Sequence, residues 1–316
     1  MKCVFGADIG GTTVKLGLFT AEGTLMEKWE IPTVIADGGQ AVLRDVAEAV
    51  NNCMARHGIA REDVLGVGAG IPGPVRSDGV VNRCVNLGWG VFNVNDALAD
   101  VTGFPVESAN DANVAALGEA WMGGGKGYKD VVFVTLGTGV GGAIIADGKI
   151  VAGANGAGGE LGHMVIRPDE KEQCACGRYG CVQQYVSATG IVRVVVKWLE
   201  AHPDMDTVLR SEEKLTAKII FDAAAAGDSA AQEALRDVYD AFGFFLAATC
   251  TVTDPEVIVI GGGVSKAGQP LLDGAKSGFD KYVFYPNVDT KFALATLGND
   301  AGIYGCCKLI LDKYLR

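Results

Sequence analysis

Basic charge is scarce in this 316-residue chain: 27 Lys and Arg stand against 38 Asp and Glu, a formal net charge of −11. A nucleic-acid partner needs Lys and Arg to neutralise its phosphates, so none is expected. Long apolar runs are missing too. No uncharged stretch reaches the roughly 18 residues of a membrane span, so no membrane partner is expected either. A secretory leader does not fit the start, because MKCVFGADIGG enters a strand and a Gly-rich turn at once. No G-x-x-x-x-G-K-[ST] occurs, which excludes a P-loop, and no Gly-rich stretch has the spacing and context of a dinucleotide fingerprint. No low-complexity linker divides the chain.

Glycine, by contrast, is abundant: 45 residues, about twice the usual share of roughly 7%. That excess points to tight turns and to backbone that approaches a ligand closely. The hydrophobic fraction of 49% and charged fraction of 21% are those of a globular protein with a full core. The length suits one large domain or two medium ones sharing a cleft. Six of nine cysteines, Cys3, Cys53, Cys84, Cys250, Cys306 and Cys307, are scattered, mostly in apolar stretches such as KCVF and IYGCCKLIL. They read as buried, reduced thiols, and the cytoplasm is the expected compartment.

Apolar and alternating runs at Cys3–Asp8, Val14–Thr20 and Thr24–Ile31 predict three successive strands. A helix is expected from about Gly39 to Arg56, with Val42, Val46, Ala49, Val50 and Cys53 on one face and His57-Gly58 as its stop. Val64–Gly70 and residues 105–108 read as strands, and Asn110–Trp121 as a helix. The opening unit then recurs, since DIGGTTVKLGLFTAEGTL (8–25) and TLGTGVGGAIIADGKI (135–150) share a Gly/Thr turn, an apolar strand and an acidic-Gly hairpin. Two copies of one sheet-building unit explain this better than chance. Helices dominate 188–253, VIVIGGGV (257–264) returns as strand and turn, and 301–315 is a terminal helix expected to cross back to the first lobe. The expected division is 1–109 with 302–316, and 110–301.

Three Gly-rich turns follow strands: Asp8–Thr13, Leu136–Gly142 and Gly261–Val264. Each alone reads as a tight hairpin; together they suit a nucleotide, because backbone N–H groups without a Cβ can approach phosphate oxygens. Asp8 is placed to hold Mg²⁺, usually through water, beside such phosphates. In ESANDANVAALGEA (107–120), Asp111 at a strand-to-helix junction reads either as an N-cap or as a general base for a hydroxyl attacking a γ-phosphate. His163, Cys174, Cys176 and Cys181, spaced H-x₁₀-C-x-C-x₄-C, are a closed tetrahedral zinc set with no open position, hence structural.

The order of DIGGT (8–12), GIPGPV (70–75), NLGW (86–89), NDAN (110–113), LGTGVGGA (136–143), ELGH (160–163), CACGRYGC (174–181) and GGGV (261–264) resembles that of the ROK-family sugar kinases, most nearly their bacterial glucokinases. The resemblance covers essentially the whole chain. It implies an α/β protein of actin-like (ribonuclease H-like) ATPase fold, with two lobes of βββαβα type flanking a central cleft and a zinc-binding loop. It also implies transfer of the ATP γ-phosphate to a hexose hydroxyl, with Mg²⁺, by a homodimer or homotetramer. By position, Asp8, Gly10, Gly11, Thr12 and Lys15 would surround the phosphates and metal. Gly137, Thr138 and Gly139 would close on them, and Gly262, Gly263 and Val264 would flank the adenosine. Asn86, Asn110 and Asp111 would face the sugar, with Asp111 as base toward its 6-hydroxyl. Glu160 and His163 would bind its other hydroxyls. A histidine that gives one ring nitrogen to zinc can aim the other at a hydroxyl, so the zinc would be a scaffold for recognition.

One departure stands out. Gln183 stands where the family usually has a sugar-binding Glu, and its amide keeps one acceptor and adds donors. The hexose therefore stays open among glucose, fructose, mannose, N-acetylglucosamine and N-acetylmannosamine, and polyphosphate remains open as a co-donor. Sugar-responsive repressors of the family carry a basic helix-turn-helix before the DIGGT strand. Here seven residues precede Asp8, so an enzyme is expected.

Overall fold

The computed structural model describes residues 1–315. Strands β1 (Cys3–Ile9), β2 (Thr13–Thr20) and β3 (Leu25–Pro32) form an antiparallel meander. In β1, CVFGADI, every residue but Asp8 is buried, as a central strand covered on both faces requires. In β3, LMEKWEIP, half-buried and exposed residues alternate, the mark of an edge strand. The short α1 (Ala36–Gly39) leads into α2 (Val42–His57), whose buried stripe includes the five residues expected from their spacing. Gly58 ends it in the left-handed region, at φ 61°. Strand β4 (Val64–Ile71) runs parallel to β1, and β5 (Val80–Val81), β6 (Phe92–Asn93) and α3 (Val94–Thr102) precede β7 (Val106–Asn110), parallel to β4. Helix α4 (Asp111–Met122) follows.

The order then repeats. Strands β8 (Val131–Leu136), β9 (Val140–Ala146) and β10 (Lys149–Ile150) are followed by α5 (Gln183–Val186), α6 (Ala188–Ala201), α7 (Ala217–Ala225) and α8 (Ser229–Thr253). Strand β11 (Val257–Gly261), α9 (Gln269–Phe279), β12 (Lys291–Leu294) and α10 (Ala301–Tyr314) complete the chain. The two large sheets run β3-β2-β1-β4-β7 and β10-β9-β8-β11-β12. Each continues an up-and-down opening into two parallel strands. The internal repeat in the sequence has this topology as its cause.

The chain packs as two compact units: Met1–Lys129 with Ala143–Gly159 and the chain from Leu297 onward, and Asp130–Gly142 with Glu160–Thr296. The boundary at residue 109 drawn from the sequence therefore moves, because α4 packs on α10 inside the first unit. The contact is backbone to backbone. A Cβ on Gly118 would lie 2.2 Å from the Ala301 carbonyl oxygen, and one on Gly305 would lie 1.7 Å from that of Val114. Glu119, fully buried on α4, accepts the N–H groups of Gly124 and Leu297, both at 2.8 Å, so its charge is not left unsatisfied. Helix α10 also packs on β1 and β4, as expected of a terminal helix returning to the first unit.

Candidate active site

In the first unit, Asp8 of β1 lies in register with Lys15 of β2 and Gly70 of β4. Small residues make room for its carboxylate: a Cβ on Gly302, in the first turn of α10, would come within 2.3 Å of Oδ2. Burial pushes the Asp8 carboxyl up to about 6, Asp111 adds like-charge repulsion, and Lys15 opposes both. A half-buried carboxylate short of positive charge is suited to a hydrated divalent cation. The turn after β1 is pinned by Gly10, whose N–H donates to Thr13 at 2.9 Å, and by Thr33, whose hydroxyl donates to the Gly10 carbonyl at 2.7 Å. Gly11 and Thr12 are left exposed, and Asn86 lies beside Gly11. Lys15 Nζ donates to the Asn299 carbonyl at 3.3 Å.

The two readings of Asp111 are now separable. Asn110 is the cap of α4: its Oδ1 accepts from Ala112 at 2.9 Å and Asn113 at 3.3 Å, while its Nδ2 donates to the Gly73 carbonyl at 3.1 Å. Asp111 is thus the first helical residue, with an exposed side chain whose Oδ1 meets the Ala112 N–H at 2.8 Å. It is not the cap. A separate cavity of about 670 Å³ in this unit, bordered by Glu107, Lys149, Lys308 and Lys313, contains none of the candidate site residues.

In the second unit, the turn after β8 is closed by Gly137, whose N–H donates to the Gly139 carbonyl at 3.0 Å. The start of α6 holds it from outside. The Ala188 N–H donates to the Gly137 carbonyl at 2.8 Å, and the Thr189 hydroxyl to that of Thr138 at 2.9 Å. A Cβ on Gly137 or on Gly263 would meet no protein atom within 4 Å, and neither residue is in the left-handed region. Nothing in the protein requires glycine there, so the space suits a group that approaches the backbone. Gly262 is different: at φ 84°, with a Cβ position 2.5 Å from the Leu136 carbonyl, the fold itself demands it. Beside this turn is a cavity of about 290 Å³ lined by Gly263, Val264, Thr216, Phe221 and Lys266. Thr216 and Phe221 belong to none of the sequence motifs. The one available signal was Thr216 as the N-cap of α7, accepting from Ile219.

The thiol cluster forms in the same unit. Donor atoms of His163, Cys174, Cys176 and Cys181 all lie within 4.8 Å of one another. Glu160 precedes the short 3₁₀ turn Leu161–His163, its carbonyl accepting the His163 N–H at 3.2 Å. A bridge between Val165 and Cys181 and a tight turn through Gly177 fold the loop back on itself. His163 Nδ1 is buried with no hydrogen-bond partner. The backbone N–H of Arg178 helps hold the Cys176 thiol down to about 6, while burial pushes Cys181 up. Three sulfurs, one imidazole and an orphaned ring nitrogen fit a closed zinc site. Glu27, Cys53 and His57 also gather, but Glu27 is already paired with Arg56 at 2.7 Å and with His57 at 2.5 Å.

The sequence model of the ROK family matches residues 4–313. This chain belongs to the ROK family. It is 42% identical to a glucokinase of Halalkalibacterium halodurans over 95% of this chain and 92% of that one. It is 35% identical to a glucokinase of Thermotoga maritima over 98% of each. Among solved structures, a ROK glucokinase of Streptomyces griseus in complex with glucose and AMPPNP matches with a TM-score of 0.71 at 32% identity, covering 97% of this chain and 98% of that chain. The fold is therefore the two-lobed, actin-like ATPase fold, and this ROK chain is a sugar kinase of glucokinase type.

Proposed function

We propose that the protein is an ATP-dependent glucokinase that transfers the γ-phosphoryl group to the 6-hydroxyl of glucose. The observation that carries this reading is Asp111: capping is done by Asn110, which leaves an exposed carboxylate at the start of α4, electrostatically coupled to Asp8. Asp111 accepts the hydroxyl proton as the sugar oxygen attacks the γ-phosphorus and ADP leaves. Asn86, Asn110, Glu160 and His163 hold the sugar. Asp8, Gly10, Gly11, Thr12 and Lys15, and Gly137, Thr138 and Gly139, hold the phosphates, while Gly262, Gly263 and Val264 border the adenosine. Asp8 is the residue for hydrated Mg²⁺, which neutralises phosphate charge when bound.

His163, Cys174, Cys176 and Cys181 take one structural zinc, supported by the four-donor set and the orphaned His163 Nδ1. The enzyme works as a homodimer or homotetramer in the cytoplasm, a location supported by the six buried free cysteines outside the cluster. The deciding experiment offers a panel of hexoses and N-acetylhexosamines with ATP or polyphosphate, detecting ADP and sugar phosphate separately. Glucose with ATP is expected to give the highest kcat/KM. Faster turnover of another sugar would replace glucose as the substrate, and no sugar phosphate from any pair would end the kinase reading.

A further inference from the structure

We propose that Gln183 is a positioning residue that couples the thiol cluster to the Gly137–Gly139 turn, so that the metal steadies phosphate-facing backbone as well as the His163 ring. The inference rests on the zinc reading above. Gln183 opens α5, and its side chain bonds to the cluster with its tip close to Gly139. Nε2 donates to Cys174 Sγ at 3.0 Å, and Oε1 lies 3.0 Å from where a Cβ on Gly139 would stand. Its backbone carbonyl accepts the Ser187 hydroxyl at 2.6 Å, and the Ser187 oxygen in turn caps α6 by accepting the Gly190 N–H at 2.9 Å. The next two residues, Ala188 and Thr189, bind the Gly137 and Thr138 carbonyls. Only covalent links along one short segment and these hydrogen bonds separate Cys174 from the turn.

The amide of this chain suits the contact it makes with Cys174. A metal-bound thiolate is an acceptor, and an amide N–H donated to it withdraws charge and fixes its direction. A carboxylate at the same place would offer the sulfur no donor and would set a negative charge against it. Gly139 belongs to the same arrangement, because a side chain there would press on Oε1 and lever the amide off the sulfur.

The test uses full-length, zinc-loaded protein and two variants, Gln183→Leu and Gln183→Glu. Zinc transfer to an excess of chromophoric chelator gives the first readout, and AMPPNP affinity by calorimetry gives the second. Zinc release is expected to be about tenfold faster in Gln183→Leu and faster still in Gln183→Glu, the scale of lost outer-shell hydrogen bonds. AMPPNP should bind roughly threefold more weakly, or worse, in both. Loaded wild type whose variants keep its release rate, or lose zinc faster with unchanged AMPPNP affinity, overturns this inference alone. Wild type that takes up no zinc overturns the zinc reading and this inference together.

Discussion

Asp8 and Asp111 are two carboxylates of one unit in different environments, and each difference has a measurable consequence. Asp111 is exposed and released from capping, so Asp111→Asn should leave glucose binding nearly intact while lowering kcat by about 10²–10⁴. Calorimetric sugar binding and turnover on one preparation check this; near wild-type turnover would remove the base role. Asp8 is held up to about 6 mainly by burial. An unfolded chain returns it to about 3.8, so below that pH both states are protonated and Asp8 contributes nothing. Between pH 4 and 6 the unfolded chain ionises first, and above pH 6 the folded protein carries the full penalty. At about 1.4 kcal/mol per pKa unit this is roughly 3 kcal/mol at most. Without Mg²⁺ or nucleotide, Asp8→Asn should therefore melt higher than wild type at pH 7, with the gain vanishing near pH 4, while turnover falls. Superimposable melting curves at pH 7 would show that Asp8 bears no such strain.

Between elements, α4 and α10 meet without intervening side chains at Gly118 and Gly305. A methyl group at Gly305 has no flexible neighbour to displace, only the Val114 carbonyl, so Gly305→Ala should cost about 3 kcal/mol or more. Gly90→Ala, with nothing within 4 Å of its Cβ position, should stay within about 0.5 kcal/mol of wild type. Urea midpoints of the two variants compare them directly, and equal midpoints would mean that the helices can separate freely. The periodic elements of this chain were legible: β1 through its apolar run, α2 through its stripe and its Gly58 stop. Those missed were short or mixed in polarity. β5 and β6 have two residues each, and β12, KFAL, has no fully buried residue. Helices α3 and α9 were missed although their buried residues, Val94, Leu98 and Thr102 in one and Leu271, Ala275 and Phe279 in the other, recur at helical spacing, and Asn93 caps α3.

For the whole molecule, metal loss should be local. All four ligands come from residues 163–181, and that segment is independently tied to α6, where Arg193 pairs with Glu170 and, at 2.6 Å, with Glu172. Cys176→Ser should therefore leave the melting transition of the protein cooperative while raising the KM for glucose at least about tenfold, with a smaller effect on kcat at saturating sugar. A zinc-free variant with unchanged glucose KM would separate the thiols from recognition altogether.

Residue order was enough for the family, the doubled β-β-β opening and the set of chemically apt residues, because turn glycines, strand periodicity and ligand spacing are local properties. It also brought His163 and the three cysteines together, since a nineteen-residue segment can close on a metal without long-range help. Three other features came only with the folded chain. Asn110 rather than Asp111 caps α4, which depends on backbone dihedrals and on the Gly73 carbonyl brought near by the fold. Helix α4 stays in the first unit, through a glycine contact between segments far apart in the chain. And the Gln183 amide turns onto Cys174, where the sequence showed only a polar residue expected near a sugar. In each case the deciding partner is remote in sequence or set by orientation, and neither distance in space nor direction is written in residue order.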